Sequence, residues 1–359
     1  YKRYRKRNPA FRAILTGCVV KSDRPKLEKV FDIIIGMKDL GALPEMLGFE
    51  KSREEKSGYF QIKPEYESPF AAYVPIMTGC NNFCSYCIVP YTRGREYSRP
   101  AEEVIREVAG LVRGGRKEII LLGQNVNSYR PEEKTDFPAL LEMINDIEGD
   151  FWIRFLTSHP KDMTEKLIRT VKDCPKCTNY IHLALQSGDN EILAKMNRRY
   201  TREHFLSLTS MIRENIPDVM LTTDIIVGFP GETEEQFRKT AEAMEAARFD
   251  IAYINKYSPR AGTASAAMPD DVGWEEKKRR EKILTDVLRD TARENNKKYL
   301  DKTAEILIDK EDKEYYFGRT RSFKDIKIRK SPGKPQPLGQ FLKAKITRVT
   351  PWALEGEII

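Results

Sequence analysis

The sequence predicts an α/β fold: a partial (βα)6 barrel, preceded by the end of a smaller α/β domain and followed by a small β-barrel. Three observations carry the prediction. From about residue 71, short apolar runs rich in β-branched residues alternate six times with amphipathic segments of helical period. Serial strand–helix alternation argues for a parallel sheet with helical crossovers, and six repeats instead of eight leave the barrel open. A long, highly charged helical segment, about 274–300, follows the sixth run. Beyond it the pattern changes to period two, with Gly and Pro between the runs.

In chain order, the basic opening from Tyr1 to Arg7 leads into Ala13-Ile14-Leu15-Thr16-Gly17-Cys18, which reads as a buried strand ending in a turn. A domain that starts at its last strands is expected to have residues upstream of Tyr1. Residues 40–70 mix Pro, Gly and Glu and read as a linker. The barrel strands are expected at 72–77, 118–122, 152–157, 180–185, 220–227 and 251–257. The helices are expected at 101–113, 137–147, 164–172, 190–196 with 202–213, and 234–246. In such folds the site lies at the carboxyl ends of the strands. Tail strands at 303–308, 315–319, 325–328, 341–349 and 353–359, with Ser331-Pro332-Gly333-Lys334-Pro335 between two of them, suggest a barrel of oligonucleotide-binding type. The expected domains are 1–65, 66–300 and 301–359.

Apolar residues make up 40% of the 359 and charged residues 32%, with a net charge of +8. The core is large enough for several domains, and the basic balance suits a polyanion such as nucleic acid. Arg319, Arg321, Lys324, Lys327, Arg329, Lys330, Lys343, Lys345 and Arg348, with Phe317 and Phe323 interleaved, give the tail the side chains for RNA backbone contact and base stacking. The plainer alternative is a capping barrel whose aromatics are core. No run of eighteen apolar residues suggests a membrane span, and no signal peptide is visible. Six cysteines in so long a chain do not make a disulfide scaffold. Reduced thiols fit a cytoplasmic location.

The sharpest signal is Cys80-Asn81-Asn82-Phe83-Cys84-Ser85-Tyr86-Cys87. Three thiolates at this spacing suit one iron–sulfur cluster with one iron left open for chemistry. A zinc knuckle is the competing reading, but zinc prefers four ligands in paired Cys or His clusters, and no second pair or nearby His exists. Cys174 and Cys177 form an isolated CxxC, redox-active or half a zinc site on one reading, a loop without chemistry on the other.

The Cys80 motif, with Tyr86 directly before the third cysteine, resembles the signature of the radical S-adenosylmethionine enzymes. Its continuation Pro90-Tyr91-Thr92-Arg93-Gly94-Arg95-Glu96, the Thr16-Gly17-Cys18 end of the first domain and the C-terminal barrel together resemble the methylthiotransferases of that superfamily. In them the tail barrel is a TRAM domain, an RNA- or substrate-binding module. Leu121-Leu122-Gly123-Gln124-Asn125-Val126-Asn127-Ser128-Tyr129 is similar to the branch acting on transfer RNA that bears isopentenyladenosine. The resemblance implies sulfur insertion at carbon two of that base, beside the anticodon, followed by methylation. It also implies two 4Fe-4S clusters, and S-adenosylmethionine as radical source and methyl donor. The implied partners are a tRNA anticodon stem-loop, an electron donor such as flavodoxin or ferredoxin, and a sulfur or iron–sulfur carrier; a monomer is expected. Two other readings stay open: a methylthiotransferase acting on an aspartate of a small-subunit ribosomal protein, and a non-catalytic RNA-binding iron–sulfur protein.

The resemblance also assigns residues. Cys80, Cys84 and Cys87 would bind the reducible cluster. Cys18 would be one ligand of the auxiliary cluster, whose other two cysteines are absent from this chain. Tyr86 and Gly123-Gln124-Asn125 would meet the cofactor, the latter loop through backbone carbonyls. Ser158 would also meet it, with His159 beside it held less firmly, and Gln186 and Ser187 would line the ribose. Arg198 matches the methionine carboxylate because a guanidinium fork fits it; a helix-end salt bridge is the alternative. Asp224 lies in an apolar strand and needs a partner, either substrate or cofactor or a buried arginine. Arg93 and Arg95 would grip phosphate or the cluster's surroundings, or pair with Glu96 or Glu102. The family often has proline where this chain has Ala184 and Ala261. The target base is expected to be turned out of the anticodon loop.

Overall fold

The computed structural model describes residues 2–8, 10–49, 59–62, 64–131, 135–330 and 337–359. The Ser331–Pro335 cluster, Tyr1, and residues 50–58 and 63 of the expected linker lie outside them. Contacts divide the chain into two compact units. One comprises Tyr1–Glu65, Thr78–Tyr97 and Ser258–Pro269; the other comprises Tyr66–Met77, Ser98–Tyr257 and Asp270–Ile359.

In the first unit, α1 (Lys2–Arg7) precedes β1 (Ile14–Gly17), α2 (Arg24–Leu27), β2 (Ile33–Gly36) and α3 (Leu43–Met46). Strands β1 and β2 pair in parallel, Ile14 opposite Ile33, so the run before Cys18 is a strand, as its apolar pattern predicts.

In the second unit, β3 (Ala71–Pro75) starts the parallel series. The two-residue strands β4 (Met77–Thr78) and β5 (Tyr97–Ser98) bracket in sequence the cysteine loop, which contains α4 (Val89–Thr92) and belongs to the first unit. The series continues with α5 (Ala101–Arg113), β6 (Glu118–Leu122), α6 (Phe137–Asn145), β7 (Trp152–Phe155), α7 (Glu165–Asp173), β8 (Tyr180–His182), α8 (Asn190–Lys195), α9 (Arg202–Asn215), β9 (Met220–Val227), α10 (Glu234–Ala247) and β10 (Ile251–Lys256). Two three-stranded parallel sheets, β3-β6-β7 and β8-β9-β10, are joined by parallel bridges at Ile153↔Cys177 and Ser158↔Leu183. The result is the expected six-stranded half-barrel. Alternation divides each strand between two faces. Val74, Ile119, Leu121, Ile153, Phe155, Ile181, Leu221 and Ile225 enter the core under the helices, while Glu118, Arg154, Tyr180, His182, Thr222 and Asp224 lie on the inner face. Short polar caps start the helices: Thr164 accepts from Leu167 N, Asp189 from Glu191 N and Ile192 N, and Thr233 forms a capping box with Gln236.

After α11 (Trp274–Lys297), strands β11 (Thr303–Glu311), β12 (Tyr315–Thr320), β13 (Asp325–Arg329), β14 (Phe341–Val349) and β15 (Leu354–Ile358) close into a barrel of order β11-β12-β13-β15-β14. Ile306, Ile308, Ile326, Ile328, Ala344, Ile346 and Leu354 fill it.

Several of the tail's cations and aromatics follow the capping reading. Part of the basic and aromatic set holds the small barrel to the half-barrel. In the β12–β13 turn, Phe323 stacks under the Arg154 guanidinium at 3.9 Å and meets Tyr180 edge-on. Lys324 is buried and pairs with Asp250 at 2.6 Å. Arg321 donates to the carbonyls of Pro175 and Cys177, and Ser322 to that of Asp218. Arg319 lies 3.8 Å from Glu118. Buried carboxylates attract cations as phosphates do, and charge pattern alone does not separate the two partners.

Candidate active site

The cysteine loop is built by close backbone passage. Gly79 has φ +78, and a Cβ there would collide with the Arg95 carbonyl. Cys80 N donates to Gly94 O at 3.2 Å and Cys87 N to Cys84 O at 3.0 Å, which winds the loop around the three thiols. Phe83 takes a left-handed φ of 48° and carries the Arg95 guanidinium 4.6 Å above its ring. Arg95 is thus spent on supporting the loop, while Arg93 Nε is buried without a hydrogen-bond partner among the described residues. Asn82 Nδ2 reaches Cys80 Sγ at 3.5 Å. Tyr86 is half-buried.

Cys84 is buried, Cys80 and Cys87 half-buried, and Cys18 exposed. Burial raises the Cys80 thiol and pushes Cys87 up to about 11, with negative charge on Cys84, Cys80 and Cys18 adding to the rise. Cys18 therefore lies within electrostatic reach of Cys87. Without a metal the Cys80 and Cys87 thiols stay protonated near neutrality, so ligation has to release their protons. Among the described residues, no three Cys, His, Asp or Glu side chains gather around one point as a single ion requires. A 4Fe-4S cluster places each thiolate on a different iron and does not need that convergence.

The strand-end loops of the second unit form a separate arrangement. Gly123 passes so close to Met77 that a Cβ would clash with its side chain, and its carbonyl accepts from Thr157 Oγ1 at 2.7 Å. Asn125 is buried and ties two loops together, donating to Asp162 at 2.7 Å and accepting from His159 N at 3.1 Å. His159 caps a short turn by accepting from Lys161 N. Burial, then repulsion by Arg198 and Lys161, depresses its pKa to about 2. It is a neutral structural histidine.

Arg198 is buried; its Nη2 donates to Ala184 O at 2.7 Å and its Nε to Tyr200 at 2.8 Å. Gln186 has a left-handed φ of 69° and extends the β8–β9 pairing through Asp224 O and Ile226 N. Ser187 is fully buried against Thr240. Asp224 does not pair with an arginine: its Oδ2 meets His182 Nε2 at 3.0 Å. The sequence reading passed over His182, though a period-two count from Tyr180 puts it on the inner face opposite Asp224. Cys174 and Cys177 are both buried, and a hydrogen bond between them lowers the first and raises the second.

Four polar atoms around these loops are buried and have no hydrogen-bond partner among the described residues: Gln124 Oε1, Asn127 Oδ1 and Nδ2, and Ser158 Oγ. Orphaned buried polar groups are rare because each costs free energy. Here they cluster after β6 and β7, where a polar ligand's amino, carboxylate and hydroxyl groups would satisfy them. The residues therefore fit a zwitterionic cofactor, as the three thiols fit a cluster.

The family model described as the Radical SAM superfamily matches residues 74–244. The tRNA-2-methylthio-N(6)-dimethylallyladenosine synthase of Thermoanaerobacter pseudethanolicus is 41% identical over 378 positions, covering 100% of this chain and 79% of that protein. The synthase of Clostridium tetani is 41% identical over 375 positions, covering 99% and 82%. That of Acetivibrio thermocellus is 42% identical over 342 positions, covering 91% and 71%. The chain belongs to the radical S-adenosylmethionine superfamily and, within it, to the family of tRNA-2-methylthio-N(6)-dimethylallyladenosine synthases.

Proposed function

We propose that this protein is a tRNA methylthiotransferase that adds a methylthio group to carbon two of isopentenyladenosine next to the anticodon. The observation that carries the reading is the 41% identity to such synthases along the whole chain. Membership of the superfamily implies a 4Fe-4S cluster and S-adenosylmethionine. Bound together, they supply a reactive carbon radical, chemistry that belongs to the cofactor.

The chain's own residues do the rest. Cys80, Cys84 and Cys87 would hold the cluster, and the Gly79 and Cys80 backbone contacts keep their loop wound. Gly123, Gln124, Asn127 and Ser158 would orient the cofactor, and Asn125 would fix the loops that carry them. Tyr86 stands beside the last ligand. Gln186, Ser187 and Arg198 would support the wall next to the site. Cys18 would contribute one thiolate to a second, auxiliary cluster. The C-terminal barrel would act as a TRAM module, touching the tRNA through the β12–β13 face that carries Tyr315, Phe317, Lys327 and Arg329. The domain limits 1–65, 66–300 and 301–359, a flavodoxin- or ferredoxin-type donor, a sulfur carrier, a monomer and a cytoplasmic location belong to the same reading. Among the described residues, no helix is long and apolar enough to cross a membrane.

The test is anaerobic reconstitution of the full-length protein with iron, sulfide, reductant and S-adenosylmethionine. It is offered an anticodon stem-loop bearing isopentenyladenosine or, separately, the aspartate-containing ribosomal protein. The expected result is 5′-deoxyadenosine together with the methylthiolated nucleoside. Modification of the aspartate alone, or no nucleoside product, overturns the reading.

A further inference from the structure

We infer that His182, Asp224 and Tyr253, on the inner face of the half-barrel, form the recognition site for the substrate's N6-alkylated adenine. Asp224 would accept the N6–H and Tyr253 would stack on the ring. The inference rests on the tRNA reading above and deepens it. Three neighbouring strands present the residues: β8 carries His182, β9 Asp224, and β10 Tyr253 in register with Asp224.

His182 is buried, whereas the Asp224 side chain is 36% exposed. One carboxylate oxygen is held by His182 Nε2 at 3.0 Å. The other has no hydrogen-bond partner among the described residues, so the group is fixed on one side and open on the other. His182 is fixed in turn: its Nδ1 lies 3.0 Å from Thr222 Oγ1, which lies 3.1 Å from the Tyr180 hydroxyl. The ring is thus gripped at both nitrogens, by Asp224 on one side and by the Thr222 hydroxyl on the other. Below this chain, Tyr180 rests against Phe323 and Arg154. The C-terminal barrel thus forms the floor on which the polar chain stands.

Tyr253 is 53% exposed, with its ring 6.2 Å from that of His182. An open aromatic ring beside a half-satisfied carboxylate offers a π-face and an acceptor together, which is what a splayed purine with an exocyclic N–H requires. Isopentenyladenosine keeps one N6–H. A site built to hydrogen-bond that group should reject an analogue lacking it, because the acceptor would be left unpaired.

The experiment uses the full-length reconstituted protein and two fluorescent anticodon stem-loops. One carries isopentenyladenosine, the other the same base methylated again at N6 and so lacking the N–H. Binding is read by anisotropy, and S-adenosylmethionine cleavage is followed separately. Wild type should bind the first RNA about tenfold more tightly. Asp224→Ala should erase that ratio and leave the KM for S-adenosylmethionine unchanged. Tyr253→Leu, at an exposed position where folding is not at stake, should weaken both RNAs by about tenfold or more. Absence of discrimination by wild type, a ratio that survives Asp224→Ala, or unchanged binding by Tyr253→Leu overturns the inference. So does a rise in the KM for S-adenosylmethionine without a change in the ratio, because the carboxylate would then serve the cofactor's adenine. Failure to form methylthiolated product, with discrimination intact, removes the functional reading and leaves the base-recognition site standing.

Discussion

At the scale of single residues, the site separates into groups that do chemistry and groups that hold geometry. Cys84 is the most buried of the three loop thiols. Cys84→Ala should abolish the cluster's visible absorption and the formation of 5′-deoxyadenosine after reconstitution, and full cleavage by the variant would remove the ligand assignment. His159 illustrates the second group. Its folded-state pKa, about 2, lies below the ordinary 6.5, so the unfolded chain binds a proton that the folded one refuses. The stability it contributes is complete above pH 6.5 and falls as the pH drops below that value, by up to about 1.4 kcal/mol per pH unit. His159→Gln keeps an oxygen to accept from Lys161 N but cannot titrate. The urea midpoint of the cluster-free variant should therefore fall less steeply than wild type between pH 6.5 and 4.5. The cysteines were legible because their spacing is local. His182 was not, because its role depends on Asp224, 42 residues away in sequence, and on an alternation hidden within a largely apolar run.

At the scale of elements, most of the half-barrel could be read directly. β6, β9, α5 and β14 span the expected residues, since each combines a clear period with flanking turn or cap residues. β7 and β8 stop short of the expected 157 and 185, because the chain leaves the sheet to form the loops that hold Asn125, Ser158 and Gln186. What the pattern concealed was the inner face of the strands. Arg154 is fully buried, and Glu118, at 3% exposure, sits 2.6 Å from it. Burial lowers the Arg154 pKa while Glu118 works against the shift. A buried pair need not stabilise relative to apolar packing, but removing one partner strands the other charge. Glu118→Gln should thus cost about 3–5 kcal/mol in chemical denaturation. The loss should be smaller in Glu118→Gln/Arg154→Met, where no buried charge is left alone. Equal losses in the two variants would show that the pair's shape, and not its charge, holds the floor of the half-barrel.

At the scale of the whole molecule, the net charge of +8 is less available than the count suggests. In the C-terminal barrel, Lys324 is spent on Asp250, Lys330 on Glu311, and Arg319 sits among Glu118, Asp309 and Asp325. Arg329 is exposed, opposite Tyr315 on the face where Lys327 lies 3.6 Å over the same ring. Sequence patterning treats all these cations alike; the fold divides them into structural and free. Only free ones displace counterions from RNA, and each phosphate contact contributes about 0.7–0.9 to the slope of log affinity against log salt. Arg329→Ala should therefore lower that slope by about 0.7–0.9 in stem-loop titrations at several salt concentrations and leave the melting temperature close to wild type. Lys324→Ala should do the reverse, because it leaves Asp250 buried beside Arg213 and Asn295 without its nearest cation. Its melting temperature should drop while the slope of the folded protein stays unchanged. If Lys324→Ala flattened the salt dependence and Arg329→Ala did not, the RNA would have to approach the docked turn, and the β12–β13 face would lose its assignment.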